Sequence, residues 1–232
     1  MEYETADGSR FSLQTIESHH ESGQRGRAYV SVAAFVDGKA YCGRVEKDIA
    51  LLEDDEILNC LQPVPYECIH PPVPDGHPEA RSSQSNDHYL KAPSFTFEDC
   101  QPGNTFVADC FLNEARVLER LMNHPHPNLA NYDGAVVVDG RIRQLCLRRY
   151  DCSLTQYLTQ HGHIMDQEER MTLLDDIKSG IQHLHDLGYA HNDINPDNIC
   201  IDSGGRAVIV DFDSCLPYGQ KLLKGGSTSK AK

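Results

Sequence analysis

Apolar and polar positions first fall into a pattern between residues 28 and 45, AYVSVAAFVDGKAYCGRV, where two β-rich runs flank Asp37-Gly38. An Asp-Gly pair between such runs predicts a two-residue hairpin. The stretch at 54–61 predicts a short helix, and the Pro-, Gly- and Ser-rich sequence from Val64 to Asp87 predicts an irregular connector. HYLKAPSF, from His88, reads as a strand ended by Pro93. Phe111, Ala115, Leu118 and Met122 recur at helical spacing and predict a helix over 107–123, broken by HPHPNLANYDG. AVVV and RQLCL form two strands around Asp139-Gly140, and Ser153 is a candidate N-cap for the helix SLTQYLTQHG. A long helix runs from Asp166 to Leu187, with the stripe Leu173, Ile177, Ile181 and Leu184 and a stop at Gly188. NICI and AVIV then form a small hairpin across the turn at 202–205. A β-rich amino half followed by a helical carboxyl half predicts an α+β protein.

Composition narrows the functional classes. The chain has 232 residues, Lys+Arg 21 against Asp+Glu 35, a formal net charge of -14 and 39% apolar residues. That is enough apolar content for a core. The acidic balance speaks against nucleic acid as a partner, because phosphate binding needs a cationic face. No run approaches the roughly 18 apolar residues of a membrane span, so no membrane partner is expected. The opening MEYETADGSR is polar and acidic, unlike a signal peptide. The nine cysteines are odd in number and show no CxxC spacing, which fits reduced thiols and an intracellular location, cytoplasmic or nuclear. Three histidine pairs, 124/126, 161/163 and 183/185, have an i, i+2 spacing that does not converge on one metal ion.

The chemistry concentrates after His191, in HNDINPDNICIDSGGRAVIVDFDS. Asn198 immediately precedes one short strand and Asp211 immediately follows the next. If these strands pair, an amide oxygen and a carboxylate meet at one end of the hairpin. Such hard oxygen donors suit Mg²⁺ and are poor for zinc. Asp193 lies five residues before Asn198 on a loop stiffened by Pro196, positioned to accept a proton from an attacking hydroxyl. The arrangement points to phosphoryl transfer from a nucleotide.

HNDINPDN resembles the H-x-D-x-x-x-x-N catalytic loop of the protein-kinase superfamily, and DFD at 211–213 stands where that family carries D-F-G. More narrowly, NEAR at 113–116, PHPN at 125–128, LHDLG at 184–188 and VDFDSC at 210–215 look like divergent fungal Ser/Thr protein-kinase-like domains. The resemblance implies Asp193 as catalytic base, Asn198 and Asp211 as Mg²⁺ ligands, and ATP and Mg²⁺ as cofactors. It implies a pair of Lys91, on the α/β-phosphates, with Glu114. A carboxylate on the apolar stripe of its helix needs such a cation. The strand 143–151 resembles the hinge, with Leu147 near the adenine and Arg148, Arg149 and Tyr150 offering backbone hydrogen bonds.

Departures from the family pattern are the lack of GxGxxG before Lys91, where SSQSND stands, and Asn192, Asn195 and Asp213 in place of Arg, Lys and Gly. Only 19 residues follow DFD. The implied fold is therefore a protein-kinase-like two-lobe α+β fold with an incomplete helical C-lobe, C-terminally truncated. Its parts are a flexible 1–27, a β-rich region and connector 28–87, an N-lobe 88–150, a partial C-lobe 151–222 and a flexible tail 223–232. The expected activity is transfer of the γ-phosphate to a Ser/Thr hydroxyl of a protein substrate. A small-molecule phosphotransferase of the aminoglycoside or choline type and a pseudokinase-like module remain open. In the last, a docking partner or self-association would cover the exposed helical face. Cys215 is expected to be a buried thiol.

Overall fold

A computed structural model of the chain describes residues 2–4, 10–20, 28–36, 38–81, 86–162 and 164–221. Asp37, His163, most of SSQSND and the tail 223–232 lie outside the described residues. The chain divides into two compact units, Met1–Pro72 with Ala92–Phe111, and Val73–Lys91 with Leu112–Lys232.

The first unit is built on an antiparallel sheet in the order β1-β2-β3-β4-β5, with β1 at Glu2–Glu4, β2 at Arg10–His20, β3 at Ala28–Val36, β4 at Lys39–Val45 and β5 at Gln62–Pro63. The register Val36↔Lys39 closes the expected hairpin. β1 and β2 thus fall within residues 1–27, the segment expected to be flexible. Successive β3 side chains point to opposite faces and both faces are covered. Val30 and Val32 pack with Ile57 of α1 (Asp54–Cys60), and Ala33 packs with Cys68 and Ile69 of α2 (Tyr66–Ile69), Phe95, Cys100 and Val107. Part of the expected irregular connector is therefore core: Cys68 and Ile69 are fully buried.

In the second unit β6 (His88–Lys91), β7 (Tyr132–Val138) and β8 (Arg141–Arg148) form an antiparallel sheet in the order β6-β8-β7. The β7–β8 turn has Asp139 at φ 53° and Gly140 at φ 70°, the left-handed pair that a two-residue hairpin requires. Helix α3 (Phe106–Asn123) crosses from one unit to the other in sequence. Phe111, Ala115 and Leu118 are buried as expected, but Met122 is exposed and Leu121 takes the inward place. The face continues at i+3 rather than i+4 after Leu118 because 3.6 residues make a turn.

Ser153 and Asp166 cap α4 (Leu154–His161) and α5 (Gln167–Asp186) through reciprocal side-chain bonds with Gln156 and Glu169. Gly188, at φ 84°, ends the latter. The remaining strands are β9 (Cys152–Ser153), β10 (Tyr189–Ala190), β11 (Ile199–Ile201), β12 (Ala207–Ile209) and β13 (Leu216–Pro217). β11 lies between β9 and β12, and β10 pairs with β13. On α5, Leu173 and Leu184 are buried while Ile177 and Ile181 are only partly so. Asp176 and Gly180 are the buried positions between Leu173 and Leu184. A Cβ at Gly180 would come within 2.8 Å of the Asn128 carbonyl, so glycine lets the helix approach the PHPN loop. Asn128 reciprocates by donating from Nδ2 to Ala207 O and accepting from Ile209 N, both at 2.9 Å.

Asp176 is 2% exposed and accepts hydrogen bonds from Arg206 Nε at 2.7 Å, Arg206 Nη2 and the Ala207 amide at 3.0 Å. Burial by itself would raise its carboxyl; Arg206 and the amide outweigh that and hold it below the ordinary value of 3.8. Asp176→Ala leaves a buried N–H unpaired and is expected to cost about 2–4 kcal/mol in urea unfolding. The depressed carboxyl makes this stabilisation complete above 3.8 and progressively lost as pH falls through the folded-state value. The wild-type advantage over Asp176→Ala should therefore narrow in acid. A constant gap down to pH 2 would contradict it.

Candidate functional site

Lys91, at the end of β6, pairs with Leu145 of β8, which fixes where its side chain leaves the sheet. Its Nζ lies 2.6 Å from Glu114 Oε1 and 2.6 Å from Asp211 Oδ1. Glu114 sits on the buried stripe of α3 and is only 1% exposed; its Oε1 also accepts the Phe212 amide at 3.1 Å. The expected pair is therefore formed, and Asp211 joins it. Burial pulls the Lys91 ammonium down, but the Glu114 and Asp211 carboxylates outweigh this and hold its pKa above the ordinary lysine value. Burial pushes the Glu114 carboxyl up against the pull of Lys91.

Asp211 adopts φ 62°, the left-handed region, rare outside glycine but least costly for Asp and Asn. The β11–β12 register Ile199↔Ile209, continued by Val210 N donating to Asn198 O at 3.0 Å, sets Asn198 and Asp211 at the same end of the hairpin. The turn closes on Asp202 Oδ1, which accepts from the Gly204 and Arg206 amides at 2.9 Å.

The loop from His191 is held by amides. Asn195 Oδ1 caps the short 3-10 turn Pro196–Asn198 by accepting from Asp197 N and Asn198 N. Asn198 Nδ2 donates to Asp193 Oδ2 at 2.8 Å, and Asn195 Nδ2 to Asp193 Oδ1 at 3.2 Å. Both carboxylate oxygens of Asp193 are thus oriented. Asn192, at φ 66°, donates from Nδ2 to Ala190 O at 3.1 Å and Ser214 O at 2.9 Å, tying the loop to the segment after Asp211. His191 is 3% exposed, with Nε2 3.1 Å from Val210 O and its ring 5.3 Å from that of Phe212. Burial lowers its pKa, and because a carbonyl can only accept, Nε2 is the donor in this contact.

Lys91, Leu147, Arg148, Arg149, Tyr150, Asn198 and Asp211 line one cavity of about 630 Å³. Two of the three expected hinge amides already have partners. The Arg148 amide already donates to Asn131 O at 3.0 Å and the Arg149 amide to Asp87 O at 2.7 Å. The flanking chain, out of reach of local pattern, takes up both donors, so the Tyr150 amide is the one left without a hydrogen bond among the described residues. Cys215 is fully buried, and burial pushes its thiol up to about 12, as expected of an inert thiol. The orienting roles of Asn192 and Asn195 were missed in the sequence. Asn195 followed by Pro196, an N-cap residue before a first-turn proline, was the available signal.

Residues 100–225 match the protein kinase domain family. The chain belongs to that family. This kinase domain has a protein-kinase-like α+β fold. It is 29% identical over 121 residues to sperm motility kinase 2B of Mus musculus, covering 50% of this chain and 24% of that one. It is 29% identical over 116 residues to serine/threonine-protein kinase MST20 of Pyricularia oryzae, covering 50% and 12%. The chain thus spans a quarter or less of the length of these relatives. Among solved structures, the yeast RNA Pol II CTD kinase CTDK-1 complex aligns with a TM-score of 0.42 at 22% identity, covering 47% of this chain and 35% of that one. No helix among the described residues is long and apolar enough to cross a membrane.

Proposed function

We propose that this kinase domain binds Mg-ATP in the 630 Å³ cavity and transfers the γ-phosphate to a Ser or Thr hydroxyl. The observation that carries the reading is Lys91 Nζ held 2.6 Å from both Glu114 and Asp211 on the cavity wall. An ammonium fixed in this way presents its remaining charge to phosphate without having to be ordered first. The donor set fits a hard cation. Asn198 spends its amide protons on Asp193 and keeps Oδ1 free of hydrogen bonds among the described residues. Asp211 has one oxygen on Lys91 and a second without a hydrogen bond among the described residues. Magnesium, when bound, neutralises phosphate oxygens and the charge that develops on them.

Asp193 acts as the proton acceptor. With its oxygens oriented by Asn195 and Asn198, it aligns a substrate hydroxyl and takes its proton. Asn195 supplies no positive charge to the transferred phosphate, so the domain relies on Lys91 and the cation for that neutralisation. Asn192 holds the loop to Ser214 by a neutral hydrogen bond, so no phosphorylated side chain is required to order it. The Ser/Thr specificity draws on the serine/threonine-protein kinase among the relatives.

Thermal melting tests the binding step. Mg-ATP at about 100 times its dissociation constant should stabilise the fold by roughly 2.7 kcal/mol. The shift should require Mg²⁺ and disappear in Asp211→Ala. A cooperative melt with no shift in the wild type would refute nucleotide binding and favour the pseudokinase-like module.

A further inference from the structure

We propose that His88, Asp133 and Cys146 form a site for a divalent transition metal of the zinc type. It lies on the β6-β8-β7 sheet and shares no residue with the oxygen-donor site at Asn198 and Asp211. One ligand atom from each of the three residues lies within 4.8 Å of the others, and His88 Nε2 is 3.0 Å from Asp133 Oδ2. Bonds of about 2.0–2.3 Å in a tetrahedron put such atoms about 3.3–3.7 Å apart, so side-chain adjustment of about an ångström closes the set.

The sheet brings these residues together by register. Cys146 lies between Leu90 of β6 and Gly134 of β7. His88 is two residues from Leu90 and so shares its face. Asp133 falls where the β7–β8 register shifts between Tyr132 and Gly134, and such a bulge re-aims a side chain. Gly134, at φ 120°, has Glu79 backbone within 2.6 Å of where a Cβ would stand, so glycine permits the close approach of that segment. A cavity of about 620 Å³, lined among others by Glu79, Arg81, His88 and Asp133, opens beside two of the three ligands.

The donor chemistry selects the ion. Imidazole nitrogen, thiolate and carboxylate suit zinc and cobalt and are a poor match for magnesium. A neutral His88, an ionised Asp133 and a Cys146 thiolate sum to two negative charges, which a divalent ion cancels, so burial of the thiolate is compensated. On binding, the Cys146 S–H bond breaks, the sulfur–metal bond forms, and the proton leaves to solvent.

The test uses the full chain, stripped of metal with a chelator and kept reduced, titrated with Co²⁺. The expected result is a sulfur-to-cobalt charge-transfer band saturating at one equivalent, displaced by Zn²⁺ and untouched by excess Mg²⁺. Cys146→Ala should abolish the band, while Cys60→Ala should keep it. His88→Gln and Asp133→Asn should each weaken binding by at least about tenfold. A wild-type chain without the band, or a band that survives Cys146→Ala, would overturn the site. Unchanged affinity in both His88→Gln and Asp133→Asn would do the same even if Cys146→Ala fails to fold. None of these readouts depends on nucleotide binding or phosphoryl transfer.

Discussion

Lys91→Met is expected to lower the unfolding free energy by about 3–5 kcal/mol and to abolish the Mg-ATP-dependent rise in melting temperature. The stability loss comes from Glu114, which is 1% exposed and would keep a charge in the interior with no cation beside it. The binding loss comes from the missing ammonium on the cavity wall. The two can be separated. In Lys91→Met with Glu114→Gln, the glutamine still accepts the Phe212 amide and carries no charge, so most of the stability should return while nucleotide binding does not. The single variant should also show a pH signature. Burial raises the Glu114 carboxyl above its ordinary 4.5, so the protonated form fits the fold. That preference is fully stabilising below 4.5 and is lost as pH rises through the folded-state value, so the deficit of Lys91→Met should shrink on acidification. Urea titrations at several pH values measure this. A Lys91→Met chain as stable as the wild type at neutral pH would show that the pair holds no buried charge.

Asp193→Ala should reduce phosphate transfer by about 10²–10⁴-fold while leaving Mg-ATP binding and stability almost unchanged. Its carboxylate is exposed, and the Nδ2 groups of Asn195 and Asn198 can donate to water in its place, so little folding energy is at stake. Asn195→Ala removes both the cap of the 3-10 turn and one orienting hydrogen bond, so a smaller fall in rate than in Asp193→Ala is expected. Radiolabel transfer to a generic Ser/Thr protein substrate, set beside melting shifts with Mg-ATP, measures rate and binding separately. Retained transfer in Asp193→Ala would remove this residue from its role as base. Equal loss of transfer and of nucleotide binding would make it a structural element of the pocket.

The loop residues proposed for this chemistry were legible in the sequence because local spacing binds them together. A five-residue step joins Asp193 to Asn198, and a short turn folds Asn198 and Asp211 to one end of a hairpin. Period 2 and period 3.6 likewise marked most strands and helices, since each element must bury one face whatever it packs against. Glu114 stood out as a charge on an apolar stripe, a conflict that only a cation resolves.

Tertiary structure decided the rest. The burial of Cys68 and Ile69 in a Pro-rich stretch depends on the sheet that covers them, and composition carries no trace of that. Asp176 reads in sequence as one more surface acid of α5, but Arg206, 30 residues on, makes it a buried anchor. The Arg148 and Arg149 amides were taken by Asn131 and Asp87, which lie 17 and 62 residues away in the chain, so of the three expected hinge amides only that of Tyr150 is left to donate. The meeting of His88, Asp133 and Cys146 arises from strand register and one bulge. The sequence by itself determined the candidate residues of the loop and hairpin, because Asp193, Asn198 and Asp211 are joined by one short loop and one short hairpin. Which buried polar groups find partners was settled only by the fold, because those partners lie far apart in the chain.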